Sequence, residues 1–475
     1  MRKKFFSVFA LILAALLLLP LLSSCDFLKD ILKIHNYEYF YDLDYHWQVC
    51  ADCGEKTAGR AHSFLKTETV AATCECRGYI TSKCVVCGYM KTDFLPKTEH
   101  EFQTVEDSDT RECVKCHRKE SALVELDETE RYGYTCLSAL DDGEKYIRAY
   151  DKISAAVAAR SDKANIYDNL TKTELSTVFY SVFYDHPEYF WLDTGYEYTT
   201  LEEEIREITF NYVIDKNDLP EAKALFNRAA DDILSGVSTS MTDFEKEVYI
   251  HDAIVKSNSY DETHEAPMMH SAYGALVLKS SVCDGYSKLF SYLMARCGVL
   301  TAIFSGYTEE LHSWNAVQID GEWYMVDVTW DDPIGQKPGE ALHTYFNRTW
   351  DEMSFDHSFD ASEGEYFENY YPIPVCNSDD YYYFKYFGYE ARLIHDEVER
   401  VIRKYVANGE SNHFQILIKG IYGTPEQKKQ AIEYYILSDV ALYASLEIII
   451  GKPVFETGYY WSTSSDGNIL NISVD

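Results

Sequence analysis

The sequence predicts an α+β fold, in which helices are combined with antiparallel strands. Apolar residues recur at helical spacing from Tyr146 to Val157, which is typical of an amphipathic helix. Residues 206–214 alternate between apolar and polar side chains, as a half-buried strand does. Asp320-Gly321 separates two further alternating runs and is a strong signal for a two-residue hairpin turn. Both helices and antiparallel strands are therefore expected in the main part of the chain.

Length and composition indicate a globular protein with several domains. The chain has 475 residues, of which 46% are hydrophobic, and this is enough for cores in about three domains. Its formal net charge of −35 would repel the phosphates of nucleic acids, so no nucleic-acid partner is expected. The acidic surface favours solubility, or attraction to cationic partners outside the cell.

Residues 1–24 have the features of a secretory signal peptide. Three basic residues at positions 2–4 precede an almost wholly apolar run over 5–22, and small residues come before Cys25. A cysteine directly after small residues resembles a bacterial lipobox, which implies cleavage before Cys25 and a diacylglycerol on its sulfur. A plain signal peptide or a transmembrane anchor is the alternative. We expect a bacterial lipoprotein outside the cytoplasm, attached to the cell membrane through a lipidated tether at 25–40.

Changes in composition divide the rest of the chain into four segments. Residues 41–120 are rich in Cys and His and poor in long apolar runs, which indicates a small separate module. Residues 121–240 contain helical and strand patterns and are interpreted as the N-terminal part of a catalytic region. Residues 241–375 hold the core of that region, and residues 376–475 are predicted to form a small α+β accessory domain.

Local signals predict further elements in residues 121–375 and in residues 376–475. The predicted helices of the catalytic region start at Thr173 and stop before His186-Pro187, start at Pro220 and stop at Gly236, and run from Asp243 to Lys256. The predicted elements of the accessory domain are a helix over 390–407, a strand over 414–421, a helix starting at Thr424 and a hairpin at Asp466-Gly467.

Cys283 lies at the predicted start of a helix. The apolar residues that follow it at helical spacing are Leu289, Phe290, Leu293 and Met294. Unpaired N–H groups and the helix dipole favour an anion at a helix N-terminus, and so favour the thiolate of a cysteine there. Gly285 adds no side chain near the sulfur, which would let a substrate backbone approach. A buried structural cysteine is the alternative.

The hairpin at Asp320-Gly321 places a histidine and an aspartate on one face of a sheet. Its two-residue turn puts Asp327 opposite Trp314. Two residues further along, His312 lies opposite Thr329. Because side chains alternate between faces, His312 and Asp327 are predicted diagonal neighbours, about 7–8 Å apart, a spacing that long side chains can bridge. Such a pair can serve a thiol nucleophile when the carboxylate holds one imidazole nitrogen and the other nitrogen faces the thiol.

These motifs resemble the bacterial transglutaminase-like (papain-fold) superfamily. The segments that carry the resemblance are 271–276, 282–286, 312–315 and 320–333, with flanks at 184–191 and 345–347. The resemblance covers roughly residues 140–375. It implies an α+β fold in which the cysteine helix packs on an antiparallel sheet. It also implies that Cys283 is the nucleophile, His312 the general acid/base and Asp327 the residue that orients His312.

The chemistry implied by this triad is acyl transfer without a cofactor. The Cys283 thiolate would attack an amide or ester carbonyl, and the backbone N–H of Cys283 would help to stabilise the oxyanion. Tyr273 is a candidate for the second oxyanion donor. His312 would protonate the leaving amine, and either water would hydrolyse the thioester or an amine would complete a crosslink. The expected substrate is a peptide or protein at the cell surface or wall.

The Cys/His-rich module contains three Cys-x2-Cys pairs. Such pairs converge two thiolates on one tetrahedral ion, and with nearby histidines they resemble tandem zinc ribbons. The candidate sets are His46, Cys50, Cys53 and His62; Cys74, Cys84, Cys87 and His100; and an incomplete set with Cys113 and Cys116. Disulfides are the alternative for an extracellular chain. In either case the module is expected to have a structural or partner-binding role.

Two functions remain open at this point. The first is a cell-surface thiol enzyme that acts on peptide or protein amides. The second is a non-catalytic surface module with a transglutaminase-like fold that serves binding. An intact set of Cys, His and Asp favours the enzyme, because a binding module does not need all three.

Overall fold

The computed structural model describes most of the chain, in two compact units. The first unit comprises the described residues up to Glu101 and Cys113–His117, and the second comprises the others. The described residues are 36–42, 44–51, 53–73, 78–95, 98, 101–104, 110–117, 119–121, 125–201, 204–334, 340–359, 370–410, 412–450 and 459–474. The expected signal peptide, Cys25, Cys74 and His100 lie outside the described residues.

Small antiparallel sheets make up the Cys/His-rich part of the chain. The first sheet contains β1 (Tyr37–Tyr41), β2 (Tyr45–Cys50) and β3 (Arg60–Ala61), and the second contains β4 (Phe64–Val70), β5 (Gly78–Cys84) and β6 (Met90–Leu95). A third contains β7 (Phe102–Thr104), β8 (Thr110–Cys113) and β9 (Lys119–Ser121). Among the described side chains of the first unit, the buried apolar ones are cysteines, namely Cys50, Cys84 and Cys113. A unit with so little apolar core needs another source of stability, such as a bound metal.

The three Cys-x2-Cys pairs adopt the same tight turn. In each, the residue after the second cysteine donates its backbone N–H to the carbonyl of the first cysteine. The distances are 2.8, 3.0 and 2.8 Å for Gly54, Gly88 and His117. All three residues have positive φ, which glycine adopts without strain. The pairs are therefore equivalent structural units.

Helices and one sheet form the N-terminal part of the second unit. A 3-10 turn (Glu128–Glu130) precedes α1 (Tyr132–Ser138), α2 (Gly143–Ala158) and α3 (Lys172–Asp185), and β10 (Lys163–Asn165), β11 (Leu192–Leu201) and β12 (Glu204–Tyr212) pair in the order β10-β12-β11. The predicted apolar face of α2 is buried, from Tyr146 to Val157. Asp185 ends α3 and accepts the backbone N–H groups of Gly133 and Tyr134 at 2.8 Å each, which fixes the start of α1.

The next part of the second unit packs a cysteine-started helix on an antiparallel sheet, as expected. Its elements are α4 (Leu219–Leu234), α5 (Asp243–Ser257), a π-helical turn (Gly274–Leu278), α6 (Cys283–Arg296), β13 (Thr301–Tyr307), β14 (Leu311–Ile319), β15 (Glu322–Val326), α7 (Trp350–Met353) and β16 (Ser358–Phe359). The strand order is β15-β14-β13-β16, and α6 packs on β13 and β14. Residues 285–295 of α6 are all buried, so this helix is the centre of the core.

The β14–β15 hairpin has the predicted turn but a shorter ladder than predicted. Asp320 and Gly321 both have positive φ, at 52° and 88°, as a type I′ turn requires. The pairing starts at Ile319 with Glu322 and ends at Asn315 with Val326. The predicted pairing of Asp327 with Trp314 is wrong, because Asp327 leaves the ladder and donates its N–H to the carbonyl of Tyr345 at 3.1 Å.

The C-terminal region is a small α+β assembly with its own apolar core. Its elements are α8 (Tyr383–Phe387), β17 (Glu390–Ala391), α9 (His395–Ala407), β18 (His413–Ile418), α10 (Pro425–Ser438), α11 (Val440–Ile450), β19 (Tyr459–Thr463) and β20 (Ile469–Val474). The strand order is β17-β18-β20-β19. The helix predicted over 390–407 starts later, because its first residues form β17. This region shares the second unit with residues 125–375, so a domain boundary at 375–376 stays a prediction.

None of the helices in the described ranges has the length and apolar character needed to cross a membrane.

Candidate active site

Cys283 is the first residue of α6. Val282 before it is extended and offers no side-chain cap to the helix. The first N–H groups of a helix have no partner within the helix, so they are available to a negative charge beside Cys283. Cys283 is partly exposed, unlike residues 285–295 of the same helix. A partly exposed thiol at a helix N-terminus can meet a substrate.

Gly285 has a different role from the one that the sequence suggested. A Cβ atom at this position would lie 2.6 Å from the Cβ of Ser281 and 2.7 Å from the carbonyl oxygen of Met269. Both distances are closer than side-chain carbons approach in proteins. Gly285 therefore lets the start of α6 pack against the preceding loop, and the expected access for a substrate backbone is not what it provides.

His312 contacts a buried carboxylate. The His312 Nε2 lies 2.7 Å from Oδ2 of Asp327, and both side chains are buried. Cys283 is near enough to His312 to raise the pKa of its imidazole. The structure thus brings a thiol, an imidazole and a carboxylate to one site, the set of groups that a thiol nucleophile needs.

Charge determines the protonation of the His312–Asp327 pair. Burial alone would lower the pKa of His312, but Asp327 and the Cys283 thiol raise it to about 10. Burial would raise the pKa of Asp327, but His312 and His357 hold it well below its usual range. His312 is therefore an imidazolium at neutral pH. Because its pKa rises on folding, this pair stabilises the folded chain below about pH 6.5 and loses that contribution as the pH rises toward 10.

Asp327 has four hydrogen-bond donors around its carboxylate. One oxygen accepts the backbone N–H groups of Thr329 at 2.9 Å and Trp330 at 3.1 Å. The other accepts His312 and also Nε2 of His357, at 3.1 Å. The four donors compensate the cost of burying the charge and leave the carboxylate with one orientation.

No pattern in the sequence indicated a role for His357. It lies outside every quoted motif, in a loop between α7 and β16, and it reaches Asp327 only because the chain folds back on β13. Trp330 and Trp314 surround it, with ring centroids 4.6 and 5.1 Å from the imidazole. These rings keep water away from the two histidines.

Tyr273 is not placed to be the second oxyanion donor. Its ring packs in the apolar core against Phe190 and Phe226, with centroids 4.9 and 6.4 Å apart. Tyr260 is a second candidate hydroxyl, whose pKa is raised by burial and by Cys283. Tyr260 is also held next to the start of α6, because it forms a β-bridge with Ser281.

A second buried carboxylate fixes the loop after Asp327. Asp331 is fully buried, and its Oδ2 lies 3.2 Å from Nε2 of His251 on α5. Its Oδ1 accepts the backbone N–H of Tyr345 at 2.9 Å. Tyr286 of α6 donates its hydroxyl to the neighbouring Asp332. The loop is therefore tied to both helices that flank the site.

A cavity of about 640 Å³ lies near the start of α6. Asp284, the residue after Cys283, is part of its wall, with Lys288 one turn later. The other wall residues include Phe183, Phe190, Pro267, Met268, Met269 and His270. Asp284 and Lys288 form an ion pair at 3.0 Å. The volume is in the usual range for a pocket that holds a small ligand or a few side chains.

The C-terminal region contains a Ser–His–Asp arrangement that is not competent as a serine nucleophile. Ser445 Oγ lies 3.4 Å from Nε2 of His395, whose Nδ1 lies 2.9 Å from Asp439. Glu399 competes, because it accepts the Ser445 hydroxyl and contacts the same His395 nitrogen, both at 3.0 Å. Glu399 and Asp439 raise the pKa of His395 to about 9, so this histidine has no free nitrogen to act as a base.

Four predicted metal donors converge in the first unit. The donor atoms of His46, His62, Cys84 and Cys87 all lie within 4.8 Å of one another. Cys87 Sγ is 3.4 Å from Nδ1 of His62, and Cys84 Sγ is 4.0 Å from Nδ1 of His46. Burial alone would raise the pKa of the Cys84 thiol, but backbone N–H groups and His62 lower it to about 5. Two imidazoles and two cysteines, one with an acidic thiol, fit a tetrahedral zinc ion.

This grouping differs from the two expected sets. His46 and His62 meet the second Cys-x2-Cys pair and not the first, because β2 and the residue after β3 both lie near the end of β5. Cys50 and Cys53 remain beside each other. Cys113 and Cys116 form the third turn described above. None of the ten cysteines within the described ranges forms a disulfide.

Comparison with known proteins points to one superfamily. Residues 228–328, about a fifth of the chain, match the model of the Transglutaminase-like superfamily, and this range contains Cys283, His312 and Asp327. The kyphoscoliosis peptidases of Mus musculus and Homo sapiens are each 34% identical over 61 residues. That match covers 10% of this chain and 9% of theirs, so the chain matches about a tenth of these relatives. A crystal structure of a TGase is 10% identical, with a TM-score of 0.23, over 31% of this chain and 47% of that one.

The pKa of His312 can be tested through Asp327. In Asp327→Asn the carboxylate that raises the pKa of His312 is lost, so the imidazolium should lose its proton several pH units lower, near or below the usual value of about 6.5. NMR titration of histidine-labelled protein measures this, with the His312 signal assigned through His312→Gln. Asp320→Asn, in the exposed hairpin turn, is the matched control and should leave the titration unchanged. A titration of His312 that is the same in Asp327→Asn as in the wild type would contradict the assignment.

Proposed function

We propose that this chain, which carries a transglutaminase-like core, is a thiol enzyme that transfers acyl groups from peptide or protein amides. The observation that carries the proposal is the hydrogen bond from His312 to the buried Asp327 carboxylate, beside a partly exposed Cys283 at the start of α6. A binding module has no need of an ionised imidazole between a thiol and a carboxylate. The three residues also fall within the segment that matches the superfamily.

The proposed reaction starts from the Cys283 thiolate, with the proton of the thiol on His312. The thiolate attacks the amide carbonyl, and His312 then donates its proton to the leaving amine. A thioester on Cys283 results. A water molecule or an amine, deprotonated by His312, then attacks the thioester and releases the acid or a new amide.

Two groups are proposed to stabilise the oxyanion. The backbone N–H of Cys283 lies at the start of α6, where helix geometry leaves it without a partner in the helix. The hydroxyl of Tyr260 is the second candidate, because Tyr260 forms a β-bridge with Ser281, two residues before Cys283. Removing one such donor typically costs about 10²–10³ in rate.

The proposed location is the outer face of the cell membrane. The basic start, apolar run and Cys25 of the sequence support a lipoprotein. There the enzyme would meet peptides and proteins of the surface or wall. Membrane fractionation of a Cys25→Ser variant tests the location separately from the chemistry.

We also propose a structural zinc ion held by His46, His62, Cys84 and Cys87. A tetrahedral zinc ion with bonds of about 2.0–2.3 Å puts its ligands roughly 3.5 Å apart. The distances of 3.4 and 4.0 Å between sulfur and nitrogen are close to this value. The ion would connect the two sheets of a unit whose described apolar core consists of cysteines.

The triad can be tested by alkylation with iodoacetamide at pH 6. An ordinary thiol, with a pKa of about 8.5, is almost fully protonated there, so a triad thiolate should react about 10- to 100-fold faster. His312→Ala should remove this advantage. Mass spectrometry of the Cys283 peptide measures its labelling rate separately from that of the thiols in the Cys-x2-Cys pairs. Burial raises the pKa of Cys297 to about 11, so this thiol is the internal control and should stay unlabelled.

Labelling of Cys283 at the rate of an ordinary thiol would exclude the enzyme and favour the binding module. If labelling is fast, comparing wild type with Cys283→Ala on cell-wall peptides and proteins identifies the substrate. Loss of the amide with release of an amine is expected only for the wild type.

The zinc proposal can be tested by elemental analysis of the purified chain. His62→Ala and Cys87→Ser should each lose about one equivalent of zinc, because three ligands hold the ion much more weakly. Lys83→Ala, an exposed position on the same strand as Cys84, is the control and should keep its zinc. A zinc content that is the same in all four proteins, or a disulfide at Cys84 or Cys87, would contradict this site.

A further inference from the structure

His357 contacts a carboxylate with each of its ring nitrogens. Its Nε2 lies 3.1 Å from Asp327, and its Nδ1 lies 2.8 Å from Oδ1 of Asp356. Carboxylates only accept hydrogen bonds, so both nitrogens must carry hydrogens and the ring is an imidazolium. Burial would lower the pKa of His357, but the hydrogen bonds to the two carboxylates outweigh burial and raise it. A second positive charge therefore lies on the far side of the catalytic carboxylate.

Asp356 in turn is held by the C-terminal region. Its Oδ2 accepts the hydroxyl of Tyr345 at 2.6 Å and the hydroxyl of Ser465 at 2.7 Å. Ser465 lies in the turn between β19 and β20, more than 100 residues further along the chain. The two hydroxyls also lie 2.9 Å from each other, so the three groups form a closed set.

A buried ion pair fixes this turn beside the active site. Arg348 and Asp466 are almost fully buried, and Nη2 of the arginine lies 2.8 Å from Oδ2 of the aspartate. The backbone of Arg348 pairs with Met325 of β15, two residues before Asp327. Asp466 also accepts Ser464 Oγ at 2.6 Å, which holds the turn in shape. The turn is thus attached to the strand that delivers the catalytic carboxylate.

We propose that the β19–β20 turn is part of the catalytic machinery, and that Ser465, Asp356 and His357 are positioning residues that act through Asp327. This inference rests on the proposed function for its meaning, but its geometry is separate. The C-terminal region would then be required for catalysis and would not be an independent accessory domain.

The chain of groups predicts how the charge on His312 responds. The titratable groups that face His357 are Asp327, Asp356, His312 and Tyr345. The positively charged His357 and His312 both donate hydrogen bonds to the same oxygen of Asp327. Removing that charge leaves Asp327 wholly to His312, which should then keep its proton to a higher pH.

The test is the NMR titration of His312 in variants of the full chain. His357→Gln should raise the pKa of His312 by about one unit, since a nearby cation is lost. Ser465→Ala should raise it less, because Asp356 then draws His357 away from Asp327. The double variant should behave like His357→Gln alone, since Ser465 acts only through His357. Ser462→Ala, on the same hairpin but bonded to Asn471, is the matched control and should change nothing.

Several results would overturn this inference. They are an unchanged or lowered pKa of His312 in His357→Gln with an unchanged melting temperature, additive shifts in the double variant, or an equal shift in Ser462→Ala. Ser465→Ala removes a single hydroxyl and keeps the test available if His357→Gln does not fold. Because the titration needs no thiol reactivity, it is decided apart from the alkylation of Cys283. Slow alkylation together with shifted titrations would reject the proposed enzyme and retain the effect of Ser465, Asp356 and His357 on Asp327.

Discussion

The buried carboxylate of Asp327 is the group on which the rest of the site depends. Taking such a charge out of water costs several kcal/mol unless it is fully paired. Two backbone N–H groups and two imidazoles surround it, so its charge is compensated and its orientation is fixed. His312 is held by its hydrogen bond to this oriented carboxylate. If one donor were lost, the buried charge would be less well compensated. Asp327 would then be oriented less firmly, and so would His312.

The architecture explains how donors from distant parts of the chain reach one carboxylate. β15 ends just before Asp327. The N–H of Asp327 then donates to the carbonyl of Tyr345, and its carboxylate accepts the N–H groups of Thr329 and Trp330. The fold-back that forms β16 carries His357 to the same oxygen as His312. The C-terminal hairpin supports His357 from behind. The helix α6 is buried along almost its whole length, so Cys283 at its start is held by a firmly packed helix.

Local patterns predicted the parts of this site that are close in sequence. The turn at Asp320-Gly321 predicted the register of β14 and β15, because a two-residue turn pairs the residues on either side of it, Ile319 and Glu322. Helical spacing after Cys283 predicted α6. His357 and Ser465 were not predictable, because their contacts depend on how separate segments pack and no local period records that. The metal donors were regrouped for the same reason, since spacing shows which cysteines form a pair but not which histidines they meet.

The central claim is that His312 activates the Cys283 thiol as a nucleophile. The most direct test is the ultraviolet absorbance of the thiolate at pH 6, measured as the difference between wild type and Cys283→Ala. The absorbance of the other cysteines cancels in this difference, because both proteins contain them. The account predicts close to one thiolate per chain, which His312→Ala abolishes. A difference near zero, as expected for an ordinary thiol with a pKa of about 8.5, would contradict it.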